Sequence, residues 1–263
     1  MRQNHSFWTA ESIEQYERAC AAADYPHHPF GPYLRRGIRP TDTVLDIGCG
    51  PGAVSLYIAA FCRQVIAVDA CPTAVEHLRR RCRELGINNI QALCGDFRQM
   101  DLPPAQVTVA FYVTGMLKGY ANAQRIAGHT LRQGFIVTTH TNGLDELRRQ
   151  AAEALHIAVK GHSCHNGCFI AAPLQEICHD LQCRQLRHDF GQPLRDLSEA
   201  ASFVGRILKI PAEHTGSLPD LTRRFVQKQG EGWYLPNPRK SCFIEFWPAA
   251  QEQERPAADG GEV

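Results

Sequence analysis

The sequence lacks a strong excess of charge of either sign, a long apolar run, a disulfide scaffold and an internal repeat, and each absence removes a class of function. With 28 basic against 27 acidic side chains and a formal net charge of +1, it carries no global field for nucleic acid or an anionic membrane. No nucleic-acid acceptor and no membrane partner are therefore expected. Nowhere do about 18 uncharged apolar residues run together, and the opening stretch Met1 to Ser12 has no apolar core of signal-peptide length. Residence in the cytoplasm is the expectation. The 11 cysteines are many for such a chain, yet their odd number and scatter do not read as a disulfide framework. Most are expected to be reduced, small, buried residues. The one dense basic run, Arg79 to Arg83, falls on a predicted helix and reads as solvent-facing.

What is present is a loop. Val44-Leu45-Asp46-Ile47 is an apolar strand with an acid inside it, and Gly48-Cys49-Gly50-Pro51-Gly52 joins it to the helix beginning near Ala53. Glycines at such a junction let a bulky ligand approach the backbone N–H groups of a helix N-terminus. Gly48, Gly50 and Ala53 also satisfy the dinucleotide fingerprint G-x-G-x-x-G/A, so the glycines alone leave the cofactor open. Asp46 tilts the balance: it would repel a pyrophosphate but can hold a cationic amino-acid ligand.

Two more acids follow at strand ends. Val65-Ile66-Ala67-Val68-Asp69 places a carboxylate 21 residues after Gly48, where it can accept ribose hydroxyls. Asn89 to Cys94 reads as the next strand and ends in Gly95-Asp96-Phe97. Either acid could instead cap the helix behind it. Together the segments around Asp46, Asp69 and Asp96 resemble the class I S-adenosylmethionine-dependent methyltransferases, whose motif I looks like Asp46 to Gly52.

The resemblance implies an α/β fold: a seven-stranded, mostly parallel Rossmann-like sheet with helices on both faces, helical lids, and an antiparallel last strand beside the sixth. It implies S-adenosylmethionine as cofactor, held by Asp46, Gly48, Cys49, Gly50, Gly52, Asp69, Ala70, Asp96, Phe97 and Val113, with Asp96 on the adenine amino group and Phe97 near the ring. A non-catalytic S-adenosylmethionine sensor and an NAD-dependent oxidoreductase remain as alternatives.

Alternating patterns predict strands near 43–47, 65–69, 89–94, 107–113, 134–140, 184–190 and 241–247. Pro51 is expected to start a helix running to about Cys62, and Pro72 another to about Leu85, with Gly86 as its cap. Residues 1–40 are read as an N-terminal lid with a helix around Ala10–Ala23, residues 41–248 as the catalytic domain, and 249–263 as a disordered tail. Insertions are expected at about 141–172 and 191–240. Two helices, 143–158 and 173–183, are predicted between the fifth and sixth strands, and the 191–240 excursion carries two more.

Lids over the carboxyl ends of the strands suit a small-molecule acceptor. Phe7, Trp8, Tyr16, Tyr25, Phe30, Trp233 and Tyr234 are candidates to line the pocket or to pack the lids, with Tyr25, His28, His162 and Cys164 singled out for substrate contact. His162, Cys164, His165 and Cys168 have poor spacing for a structural zinc site, so no metal is assigned. For an acceptor that must lose a proton, His140 at the end of the fifth strand is the first candidate base, with Tyr112 second and His27, His28, His162 and His165 behind them. The fourth strand ends in Tyr112-Val113-Thr114-Gly115 and not in an Asn-Pro-Pro-Tyr-like tetrapeptide, which removes support for amide or nucleobase methylation.

Overall fold

A computed structural model describes residues 8–113, 118–157 and 168–249. Helix α1 (Ala10–Ala22) opens on a reciprocal cap: Thr9 Oγ1 accepts the Ser12 amide at 3.2 Å, and Ser12 Oγ accepts the Thr9 amide at 2.8 Å. The proline-bearing turn that follows leads into α2 (Gly31–Gly37).

The central layer then forms through β1 (Thr43–Ile47), α3 (Ala53–Ala59), β2 (Gln64–Asp69), α4 (Pro72–Leu85), β3 (Ile90–Cys94), β4 (Ala105–Phe111), α5 (Tyr120–Gly128) and β5 (Thr130–Asn142). Next come α6 (Leu144–Leu155), α7 (Cys168–Ile177) and β6 (Cys178–Asp189). After β7 (Gln192–Leu194), α8 (Leu197–Leu208), α9 (Leu218–Arg223), β8 (Gln227–Gln229) and β9 (Gly232–Leu235), the chain returns to the sheet as β10 (Pro238–Pro248). The seven-stranded sheet has the order β3-β2-β1-β4-β5-β10-β6, and β10 runs antiparallel to both of its neighbours.

Strand parity divides the core. Val44, Ala67, Val109, Val137 and Phe243 face Leu34, Ile58 and Leu78 of α2, α3 and α4. Leu45, Val68, Ala110, Ile136 and Ile244 face Ile126 of α5 and Ile170 and Leu174 of α7. Helices on both faces leave β1 buried along its whole length, which is why it reads as an apolar run. A third core forms outside the sheet, where Leu147 and Leu155 of α6 meet Val204 of α8, Leu221 of α9 and Leu235 of β9.

Three expectations change. Residues 178–183 are the start of β6 and not the end of a helix, because β10 is long enough to pair Leu181 with Phe246 and Cys183 with Ile244; α7 ends earlier, with Pro173 in its interior. Pro51 lies in the loop, and α3 begins only after Gly52, whose φ of 97° is left-handed. The 191–240 excursion contains, besides its two expected helices, a small sheet of order β7-β9-β8 that the alternation did not reveal. Residues 250–263, read as a tail, lie outside the described residues. Among the described residues no helix is long and apolar enough to cross a membrane, and nine cysteines carry free thiols.

Candidate active site

The loop after β1 is held by backbone. The amides of Gly48 and Cys49 both donate to the carbonyl of Val68, at 2.8 and 3.0 Å, which ties the loop to the end of β2. Gly48 has φ of 68°, and a Cβ there would lie 2.7 Å from the side chain of Val113 beyond β4. Gly50 has φ of 54°, and its Cβ would meet the indole of Trp8 at 3.0 Å. Both positions therefore need glycine for backbone shape and for space. Cys49 is buried, and burial pushes its thiol well above the usual range, so it stays neutral.

Asp46 is 1 % exposed, and its carboxylate accepts the Ser55 hydroxyl of α3 at 2.5 Å. Burial raises its pKa to about 7, against the Ser55 bond and with a smaller push from Asp69. A buried acid with one hydrogen bond and no cationic partner among the described residues is chemically suited to an ammonium group. Asp69 closes the other side: it accepts the Gly50 amide at 2.9 Å and the Cys71 amide at 2.8 Å. A carboxylate has lone pairs to spare after two such bonds, so ribose hydroxyls can still be accepted. Ala70 beside it is exposed.

The third acid is engaged differently. Asp96 is paired by Arg98 at 2.5 Å, and the bond from Arg98 holds its carboxyl below the usual range. For it to contact an adenine amino group, Arg98 must yield or share. Phe97 turns its side chain inward. Its ring is 2 % exposed, 5.2 Å from His129 and 5.1 Å from the Arg125 guanidinium, because the chain turns it into the α5 side of the core. What position 97 can offer a cofactor is its main chain.

The family model for a methyltransferase domain matches residues 44–133, from β1 into β5. A probable dimethyladenosine transferase of Dictyostelium discoideum is 35 % identical over 74 residues, covering 28 % of this chain and 24 % of that one. A human tRNA (uracil-5-)-methyltransferase homolog A is 38 % identical over 65 residues, covering 25 % and 10 %. The fold is similar to that of magnesium protoporphyrin IX methyltransferase from Synechocystis PCC 6803 solved with bound SAH, at a TM-score of 0.55 and 12 % identity, covering 93 % of this chain and 90 % of that one. Residues 44–133 of this chain thus match a methyltransferase domain, within a fold similar to that of a solved methyltransferase. It spans a quarter or less of the length of these two curated relatives, 24 % and 10 %.

Across the loop, the methyltransferase domain is covered by aromatic rings from distant segments. Trp8 packs edge-on against Tyr16 at 5.1 Å, Tyr16 contacts Phe190 at 5.9 Å, and Tyr25 contacts Phe30 and Phe190 at 5.9 and 5.4 Å. Burial raises the phenols of Tyr16 and Tyr25, and Asp46 adds to both shifts. Trp233 and Tyr234 lie apart, in the small sheet: Trp233 packs on the third core, and the Tyr234 hydroxyl donates to Asp189 at 2.6 Å. Phe7, His162, Cys164 and His165 lie outside the described residues, as does most of the Cys/His loop.

His140 is half-buried, three residues past Val137, which pairs with the end of β4 at Phe111, and opposite a register shift in β10. Tyr112 adopts a left-handed φ of 56°, and its hydroxyl meets Ser241 Oγ at 2.7 Å and His188 Nε2 at 3.3 Å. Burial pushes this phenol up to about 12, so Tyr112 is a poor base and a good positioning group. His28 is exposed, close enough to depress the pKa of His188, and His27 pairs with Asp24 at 3.2 Å. Sequence reasoning missed His188, Phe190, Arg239 and Ser241 as neighbours of Tyr112. The only signal for them was their position at the ends of the last two sheet strands.

Proposed function

We propose that this protein transfers a methyl group from S-adenosylmethionine to a small-molecule acceptor in the cytoplasm. The observation that carries the reading is the pair of carboxylates flanking the glycine loop: Asp46, buried with only Ser55 as partner, and Asp69, bonded to the Gly50 amide. When bound, S-adenosylmethionine supplies a sulfonium methyl open to in-line displacement. In this reading Asp46 faces its ammonium group and Asp69 its ribose, with Gly48, Cys49, Gly50, Gly52, Ala70, Asp96, Val113 and the main chain of Phe97 completing the cradle.

The protein's part in such a displacement is alignment and exclusion of water, which can contribute several kcal/mol. Trp8, Tyr16 and Tyr25 form the cover in which this exclusion takes place, and Tyr25 with His28 borders the acceptor. That cover, residues 8–30 packed directly on the loop, supports a small acceptor over a duplex, as does the balanced charge. Residues 1–40 and the insertions at 141–172 and 191–240 act as lids on a 41–248 catalytic unit. Free thiols at the described cysteines support a reducing compartment. Where the acceptor must lose a proton, His140 takes it and Tyr112 positions the acceptor.

Calorimetric titration with S-adenosylmethionine, S-adenosylhomocysteine and NAD tests the cofactor, with binding of the first two expected and tight NAD binding alone overturning it. Transfer of labelled methyl to cell-extract fractions then tests the acceptor. Label in small molecules is expected; label in RNA, the class named in the tRNA relative, would overturn the small-molecule assignment. Binding with no transfer to any fraction would leave a sensor. With a hydroxyl acceptor, His140→Ala should lower turnover at neutral pH at least tenfold, and undiminished turnover removes His140 as base.

A further inference from the structure

The geometry points to a carboxylate-binding subsite built around Arg239 and His188, so that the acceptor is an anionic small molecule with an apolar body; that last step rests on the methyl-transfer reading. Arg239 lies near the start of β10, cross-strand from His188 and Asn142, and β10 is antiparallel, so this end lies at the carboxyl edge of the parallel strands. Its Nε is buried without a hydrogen-bond partner, and so is Nδ1 of His188. The guanidinium lies 4.7 Å from the Phe190 ring centre and 5.9 Å from that of Tyr112.

Among the described residues no carboxylate forms an ion pair with Arg239. Asp189 acts on its charge, but accepts the Tyr234 hydroxyl at 2.6 Å and the Asn237 amide at 2.7 Å. Burial draws the pKa of Arg239 below its usual value, yet an arginine stays protonated, so the site holds a desolvated cation lacking a counterion. Burial and the Arg239 charge together hold His188 down at about 4, which leaves it neutral at pH 7 with an N–H that Nδ1 can donate. Two unpartnered buried nitrogens, one of them on a cation, therefore sit cross-strand on one face of the sheet.

The cluster reaches the cofactor loop. Tyr16 and Tyr25 lie near enough to both Arg239 and Asp46 for either charge to bear on the ionisation of their phenols. The rings around the cation thus belong to the same core cluster as Cys49 of the loop. A monoanion neutralises Arg239. A phosphate dianion would leave excess negative charge near Asp46 and Asp69, so the planar, singly charged carboxylate is the better match. An acceptor seated this way has its acid on Arg239 and its body against Tyr25, Phe190 and Tyr112.

The test is titration of the full chain with benzoate, benzamide and inorganic phosphate, with and without S-adenosylhomocysteine, followed by calorimetry and by the arginine Nε–H resonance of Arg239. Saturable benzoate binding at least tenfold tighter than benzamide, shifting that resonance, is expected in the native protein. Arg239→Gln should weaken benzoate tenfold or more and spare S-adenosylhomocysteine, while Arg239→Lys retains part of the affinity. If Arg239→Gln fails to fold, the resonance and the Lys variant decide. Equal affinity for benzoate and benzamide, no saturable benzoate binding, or unchanged benzoate affinity in Arg239→Gln overturns the subsite. Tighter phosphate than benzoate overturns the carboxylate assignment. Absent S-adenosylhomocysteine binding together with benzoate binding would defeat the methyl-transfer reading and leave the anion site standing.

Discussion

In the proposed site, residues 44–97 form the nucleoside side from successive strand ends, whereas the proposed acceptor side draws Tyr16, Tyr25, Tyr112, His188 and Arg239 from segments up to 223 positions apart. The first side is mostly backbone: loop amides on Val68, and the Gly50 and Cys71 amides on Asp69. The second is mostly side chain, with rings packed on rings and a cation among them. A backbone cradle suits a ligand shared by many proteins, since its shape depends on glycines and a few acids. A side-chain cluster suits a ligand particular to one protein, because each ring and charge can be exchanged without disturbing the strands.

The sharpest test of the contrast is Asp46, which belongs to the backbone side but faces the rings. Folding raises its pKa from 3.8 to about 7, so the native state holds more protons than the unfolded chain between those values, and stability falls by up to about 4 kcal/mol as pH rises through that window. Asp46→Asn should abolish that slope in thermal melts and be the more stable protein at pH 8, while binding S-adenosylmethionine more weakly. The native protein should also release a proton on binding it near pH 7, read from calorimetry in buffers of different ionisation enthalpy.

Asp69→Ala comes next. Loss of the ribose contacts should weaken S-adenosylhomocysteine on the order of a hundredfold, taking about 1.5 kcal/mol for each of two bonds to a charged group. The Gly50 and Cys71 amides also lose their acceptor, so the melting temperature should fall as well. An unchanged melting temperature would mean that the loop is held by the Val68 carbonyl alone.

Trp8→Ala probes the ring side. It removes an edge contact with Tyr16 and the cover over Gly50, and acceptor KM should rise several-fold, about 1 kcal/mol, with nucleoside affinity nearly constant. An equal loss of both would erase the division between the two sides. Arg83→Ala should do least: its pair with Glu76 at 3.2 Å lies between two exposed side chains, and stability should move by less than about 0.5 kcal/mol.

The glycine loop and the strand ends around it were legible because their rules are local. Gly86 caps α4 in the left-handed region, and Asp46 and Asp69 sit at loop-facing strand positions, as spacing alone suggests. The inward direction of the Phe97 ring was not legible, because it depends on packing against the α5 side of the core, which no spacing rule contains. Residues 178–183 were misread as helix because Cys178 and Leu181 stand one helical turn apart, and only pairing along the length of β10 makes them a strand.

By itself, the sequence determined the alternating layers, the glycine loop and the acids around it, since short-range sterics and hydrogen bonding set those features within a few residues. Tertiary structure alone decided that Arg239 and His188 share a face, that Tyr112 is held by Ser241, and that Trp8 lies over Gly50. The physical reason is range: strand pairing and ring packing join residues across the whole chain, and no local pattern encodes which distant partner a buried charge or ring will meet.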